Sequence, residues 1–437
     1  MGHKHQRPAT STGAKSMAVC LRAALRTTTA ALALLATQSV GAAITVQNGD
    51  TLNLNGATQS TDTLELIDGS VINGTLNAST AFNVRNGTIS AFLSGSGLLT
   101  KSTGGVVTLA SANNYTGTSQ LFAGTLQLLS SASLGTGRVR TTFGVLDVST
   151  GLNVLNEIEL RNTGLAINVD AGTATWSGII SQETGVFGFE KTGAGNLRIT
   201  NGSNTFAGPV KVSEGELTIA AMGGFQSSTE LFNGAFLTFD ISEGYTYNGV
   251  VSGTGRVSAT GGQLILTAAQ TLTNSTFTVN PGAGLILQST ATLGEGTNKV
   301  ELRGGPDALT PALLDLGGTT QSIQRLDVSN VHNLVENGAL IVSDEIAISE
   351  GTISANLAGA AGLTKDSSNN IVILSGANSY TGATVINGGT VIAQGGSAIG
   401  DASDVTIELD ATLQLDFSET IGALAGAGAV DLQDNVL

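Results

Sequence analysis

The chain is written in copies of itself, and that property constrains its fold more than any other. Gly87–Gln127 reads GTISAFLSGSGLLTKSTGGVVTLASANNYTGTSQLFAGTLQ, and Gly351–Ile392 reads GTISANLAGAAGLTKDSSNNIVILSGANSYTGATVINGGTVI. The two align as far as Lys101 and Lys365, then again after one inserted residue, through Tyr115 and Tyr380. A third copy starts at Trp176, with Lys191 and Phe206 spaced as Lys365 and Tyr380 are. A fourth, worn copy runs from Gly249 to Leu287, and a fifth opens at Ile421 and is cut off at Leu437. The repeats thus lie near 87–131, 176–220, 249–288 and 351–395, with the last from 421.

Each copy follows one physical grammar. Short runs such as VVTLA, LRIT, LILT and IVILS are rich in Val, Ile, Leu and Thr, which suit a pleated, half-buried surface. Between them sit TGG, GAG, SNN and NGG, and Asn-Gly recurs at Asn73, Asn86, Asn201, Asn233, Asn248, Asn337 and Asn387. Asn and Gly tolerate positive φ, which tight corners need. Sustained 3.6-residue periodicity is absent after the first 43 residues, so the expected class is all-β.

A sandwich of this length would show linkers, and no break in composition occurs from Ile44 onward. Degenerate repeats, short strands and frequent corners point to a β-solenoid, in which each coil's strands pair with the coils before and after. Coils of roughly 20–25 residues, about 4.8 Å apart, predict some 16–20 coils. Tyr115, Phe206 and Tyr380 are expected to stack inside or to cap a corner.

Residues 1–43 read as a signal peptide. Thr27–Ala36, TTTAALALLA, is an apolar run too short to span a bilayer as a helix. It follows Lys4, Arg7, Lys15, Arg22 and Arg26, with no acid before it, and precedes SVGAA, with cleavage expected after Ala42 or Ala43. Met17 offers an alternative start. Removing this segment leaves 13 of the 18 Lys and Arg against 33 acids, a charge of −20, and removes Cys20, the single cysteine. A disulfide, a thiolate metal site and a cysteine nucleophile are thereby excluded from the remainder. So acidic a chain is unsuited to nucleic acid, whose backbone is held by Lys and Arg, and no nucleic-acid partner is expected.

At the repeated residues the chain resembles the passenger regions of Gram-negative autotransporters. More narrowly, it is similar to the autotransporter-associated β-strand repeat, which runs roughly G-x-L-x-K-x-G-x-G-x-L-x-L-x-G-x-N-x-Y-x-G-x-T-x-v-x-x-G-x-L. Residues 362–393 fit that pattern well, 97–128 and 188–219 nearly as well, and 255–287 poorly. The resemblance implies a right-handed parallel β-helix over 44–437, exported through the periplasm and displayed at the cell surface or released. It implies an outer-membrane β-barrel translocator as partner, and host or neighbouring-cell glycans or proteins as further partners. Barrel-type strands are not found before Leu437, so the sequence reads as a fragment or truncated gene product, with a passenger exported by a separate pore as the other reading. A monomer is expected.

Candidate chemistry is sparse. His332, in SNVHNLVENG, has no partner His or Cys with which to build a zinc site and is expected at a corner or on the surface. A Gly-x-Ser-x-Gly nucleophile motif is missing, and the Gly-rich stretches lack the context of a phosphate loop. The densest acidic stretch holds Asp401, Asp404, Glu408, Asp410, Asp416, Glu419, Asp431 and Asp434, and no Lys or Arg follows Lys365. It reads as a solvated acidic face rather than a calcium site or a glycosidase pair. Lys101, Lys191 and Lys365 recur at one repeat position; they are expected to be solvated corner residues, with a basic row for an anionic glycan as the other reading. No catalytic, metal or cofactor-binding residue is assigned, and an enzyme is not expected. The leading function is an adhesin or display stalk acting through extended contacts. A carbohydrate-active β-helix enzyme and a purely structural stalk stay open.

Overall fold

The computed structural model describes residues 31–32 and 43–437, apart from 222, 289, 306–309 and 331. The expected signal peptide and Met17 therefore lie almost wholly outside the described residues; the two-residue strand Ala31–Leu32 pairs in parallel with Thr51 and Leu52. From Ala43 onward the described chain is strand and turn without helix, wound into a parallel β-solenoid of about 19 turns. At ~4.8 Å per coil that is a rod about 90 Å long.

The coils are three-sided. One side stacks Leu98–Lys101, Ser119–Leu121, 139–141 and 158–160, in that order. The second stacks Val106–Leu109, Thr125–Leu128, 145–148, 165–168 and Glu190–Thr192. The third begins its long run at Asn153–Val154 and passes through Thr173–Trp176, Asn196–Ile199 and Glu216–Ile219 towards the C-terminus.

Parallel in-register stacking puts like positions above one another, and alternation sends every second side chain inward. On the third side the inward column reads Trp176, Ile199, Ile219, Phe239, Ala259, Val279, Leu302, Val328 and Ile348, all buried. The core is thus one apolar column per side running the length of the rod, and it needs no disulfide to close it.

Aromatics stack within this core, as expected. Phe206 joins a run Phe189–Phe206–Phe225–Tyr247 with ring centroids 5.6, 5.8 and 6.5 Å apart, and Tyr115 lies 5.5 Å from Phe82. The corners follow the Asn-Gly expectation only in part. Asn73, Asn233 and Asn337 adopt positive φ, but at Asn86 the following Gly87 does so instead, and near Asn387 it is Gly389.

Candidate functional site

The repeat motif is the obvious place to look for a site, and its geometry is internal. Lys101, Lys191 and Lys365 are each 0% exposed, which overturns both the solvated-corner and the basic-row expectations. Each occupies an inward position between two aliphatic residues: Val84 and Leu121, Ile167 and Val212, Ile348 and Ile386. The butylene stem continues the apolar column, and the ammonium turns into the corner that follows the strand.

There the ammonium is satisfied by main-chain oxygens. Lys191 Nζ donates to the carbonyls of Thr192 at 2.8 Å, Gly193 at 2.7 Å and Glu214 at 3.3 Å. Lys101 Nζ donates to Thr103 and, at 3.1 Å, to Ala123. Lys365 Nζ donates to the carbonyls of Asp366 at 3.1 Å and Ser368 at 2.9 Å, and to Asp366 Oδ1 at 2.9 Å. Glu214 and Ala123 belong to the next coil, so Lys101 and Lys191 tie one corner to its neighbour. Burial lowers the Lys101 pKa and brings Lys191 down to about 8. Burial also pushes the Asp366 carboxyl up, but hydrogen bonds from Ser368 and Lys365 outweigh it and hold the group well below the usual carboxylate range.

The Asn and aromatic of the motif are equally inward. Asn378 Oδ1 accepts from the Leu357 N–H at 2.7 Å and its Nδ2 donates to the Ala398 carbonyl at 2.6 Å, bridging three coils. Asn113 does the same between Leu93, at 2.8 Å, and Ser133, at 2.6 Å. Tyr115 Oη lies 2.7 Å from Ser119 Oγ and Tyr380 Oη 2.8 Å from Thr384 Oγ1, each hydroxyl partner four residues on. In the third copy the aromatic is Phe206 and the residue four on is buried Val210, so both hydroxyls are absent together. Burial pushes Tyr380 up to about 12.

His332 sits in a turn at φ +61°, its Nδ1 3.7 Å from Glu350 Oε1. Of the acidic stretch, Glu419 is buried and accepts from the N–H groups of Ala398 and Ile399, each at 3.1 Å, while Asp401, Asp404, Glu408 and Asp410 are exposed. Burial raises the Glu419 pKa. Among the described residues no cluster of three or more His, Cys, Asp or Glu is placed to hold a metal ion.

What faces outward is sheet. On the second side Thr108, Gln127, Asp147 and Asn168 form a ladder of side-chain hydrogen bonds, each 2.9 Å, one residue per coil. On the first side Arg138, Arg140 and Arg161 converge on Glu159. Sequence reading missed this cluster, although Arg138-x-Arg140 and Glu159-x-Arg161 are spaced to put both residues of each pair on one strand face.

These features define a class: a parallel β-solenoid whose repeat motif serves the stacking of coils. Residues 99–128, 189–219 and 363–393 each match the passenger-associated-transport-repeat family. Those are the three copies that fit the repeat pattern best; the worn copy at 249–288 is not matched. A stretch of 183 residues, 41% of the chain, is 30% identical to the adhesin BmaC autotransporter of Brucella suis biovar 1 (strain 1330). The aligned stretch spans 5% of that protein's length. No solved structure matches. The repeats in three places and the likeness to an autotransporter adhesin support an autotransporter passenger.

Proposed function

We propose that this chain is the adhesive part of a surface-displayed passenger, acting by contact along the outer faces of its coils and not by catalysis. One observation carries the reading. The Lys, Asn and aromatic that define each copy are buried, so the repeat builds the rod and leaves its side faces to vary. A sheet face tens of ångströms long suits the gathering of many weak contacts. The name of the BmaC relative supports adhesion, and the family supports export and an outer-membrane barrel partner. In this reading residues 1–43 direct export.

Incubation of the purified chain with epithelial cells and with extracellular matrix tests the proposal. Saturable coating at micromolar concentration is the expected result. A chain that coats neither surface sinks the adhesive reading and leaves a stalk.

A further inference from the structure

Among the described residues Glu159 is the least exposed partner in the ion pairs of the outer surface, its side chain 9% exposed beneath three guanidinium groups. It receives Arg138 Nη1 at 2.7 Å, Arg161 Nε at 2.8 Å and Arg140 Nε at 3.3 Å. Burial pushes its pKa up, but the hydrogen bonds from Arg138 and Arg161 outweigh this and hold it ionised. Arg140 is in register with Glu159 on the next coil, so one carboxylate organises arginines from two successive coils. Their side chains remain 43%, 34% and 32% exposed. Glu157 lies 3.5 Å from Arg138 Nη2 and Glu183 lies 3.0 Å from Arg161 Nη2, so three carboxylates face the three guanidinium groups and only Arg140 has Glu159 as its single partner. The Nη groups of Arg140 bond to nothing among the described residues, which leaves its two-pronged edge open.

Two exposed phenyl rings lie at the same end of this side. Phe122, 43% exposed, follows Leu121, which is in register with Thr141; Phe143, 51% exposed, lies two residues further along that strand. Phe143 is in register with Gly164, which has no side chain to cover the ring.

We propose that this face binds a carboxylate-bearing polysaccharide, with the open edge of Arg140 pairing a carboxylate and Phe122 and Phe143 taking the apolar faces of the sugar rings. The proposal rests on the adhesive reading above and names a ligand class for it. Three arguments select that class. Arginine's planar fork pairs a carboxylate through two parallel hydrogen bonds, and here the fork is already ordered, so little side-chain entropy is lost on binding. At physiological salt the repulsion of the rest of the acidic rod reaches only about 8 Å. Within that range Glu157 and Glu183 pair Arg138 and Arg161, so Arg140 is the cation left to meet a carboxylate. A bound peptide strand would need free backbone donors and acceptors. On this side the strands pair coil to coil and offer side chains alone. A linear polymer lying along the rod meets a new coil every ~4.8 Å, about the length of one sugar ring.

The test measures binding of the purified chain to polygalacturonate, with dextran as the neutral polysaccharide and polyglutamate as the acidic peptide. Polygalacturonate is expected to bind, and Arg140→Gln and Phe143→Ser are each expected to weaken it about tenfold, measured at a temperature where melting curves show both variants folded. Lys299→Gln, at an exposed cation on the third side, is expected to change nothing. Equal binding by both variants, or tighter binding of dextran or polyglutamate, overturns the proposal. Cell coating that ignores Arg140→Gln removes this site while leaving adhesion standing. Polygalacturonate binding sensitive to Arg140→Gln in a chain that coats no cell keeps the site and removes adhesion.

Discussion

Lys365 and Gly389 share one oxygen atom: the Ser368 carbonyl accepts from Lys365 Nζ at 2.9 Å, and a Cβ on Gly389 would stand 2.5 Å from it. The same relationship holds in the third copy, where the Gly193 carbonyl accepts from Lys191 at 2.7 Å and would lie 2.5 Å from a Cβ on Gly215. The Lys and the later Gly of the repeat are therefore one device. The ammonium pins a corner's carbonyls, and the next coil closes over them at a residue with no side chain.

Gly389→Ala is expected to disturb that corner far more than Gly56→Ala. Both glycines have positive φ, +64° and +77°, so both substitutions incur roughly 1–2 kcal/mol of backbone strain. Gly56 has nothing within 4 Å of an added Cβ, whereas Gly389 meets main-chain oxygens that cannot yield. Hydrogen exchange over 363–393 should quicken sharply in Gly389→Ala; equal protection in the two variants would contradict the shared-oxygen account.

Lys191→Met keeps the stem and removes the ammonium, taking from the carbonyls of Gly193 and Glu214 their ammonium donor, while the Thr192 carbonyl still accepts from the Val169 N–H at 3.1 Å. A loss of about 2 kcal/mol is expected, read as a lowered denaturant midpoint at unchanged slope. A gain in stability would mean that the penalty for burying the charge exceeds the value of its hydrogen bonds.

Lys191 also sets a pH dependence. Its pKa is about 8 folded against an ordinary 10.5, so between those values the unfolded chain holds more protons, and stability rises with pH. The buried tyrosines act oppositely. Tyr380, at about 12 against 10.0, keeps its proton after the unfolded chain has lost its own, so stability falls above pH 10. A maximum between about pH 8 and 10 is expected. Melting temperatures that rise from pH 8 to 9.5 in the unaltered chain and rise less steeply in Lys191→Met, where only Lys101 is left to contribute, would support the assignment; equal slopes in the two would remove it.

Asn378→Ala is expected to cost more than Tyr380→Phe, although it removes the smaller group. The tyrosine loses one hydroxyl bond, about 1 kcal/mol, and Thr384 keeps its contact with Ser403 Oγ at 2.8 Å. The asparagine strands the Leu357 N–H and the Ala398 carbonyl in a dry interior, about 2–4 kcal/mol together. Paired melts of the two variants give the order directly.

The fold was legible because the solenoid writes its stacking rule into spacing: Leu99 and Lys101, or Leu363 and Lys365, alternate in phase with the apolar column. That phase also placed the lysines inside, but residue type suggested the surface and the expectation followed type. Only the corner shows why type misleads here, because the three carbonyls that accept from Lys191 come from two coils and have no signature in local sequence. Glu419 was hidden for the same reason among acids that are mostly exposed. The Arg138, Arg140, Arg161 and Glu159 cluster escaped because its members are brought together by coil register, which the sequence leaves unstated.

The three motif lysines lie on three different sides of the coil: Lys101 on the first, Lys191 on the second and Lys365 on the third. The motif thus advances around the rod like a thread on a screw. A straight polymer laid along one flank meets the surroundings of one copy, never of three. Any gain in avidity from repetition must then come from a ligand that wraps the rod, or from several rods presented side by side.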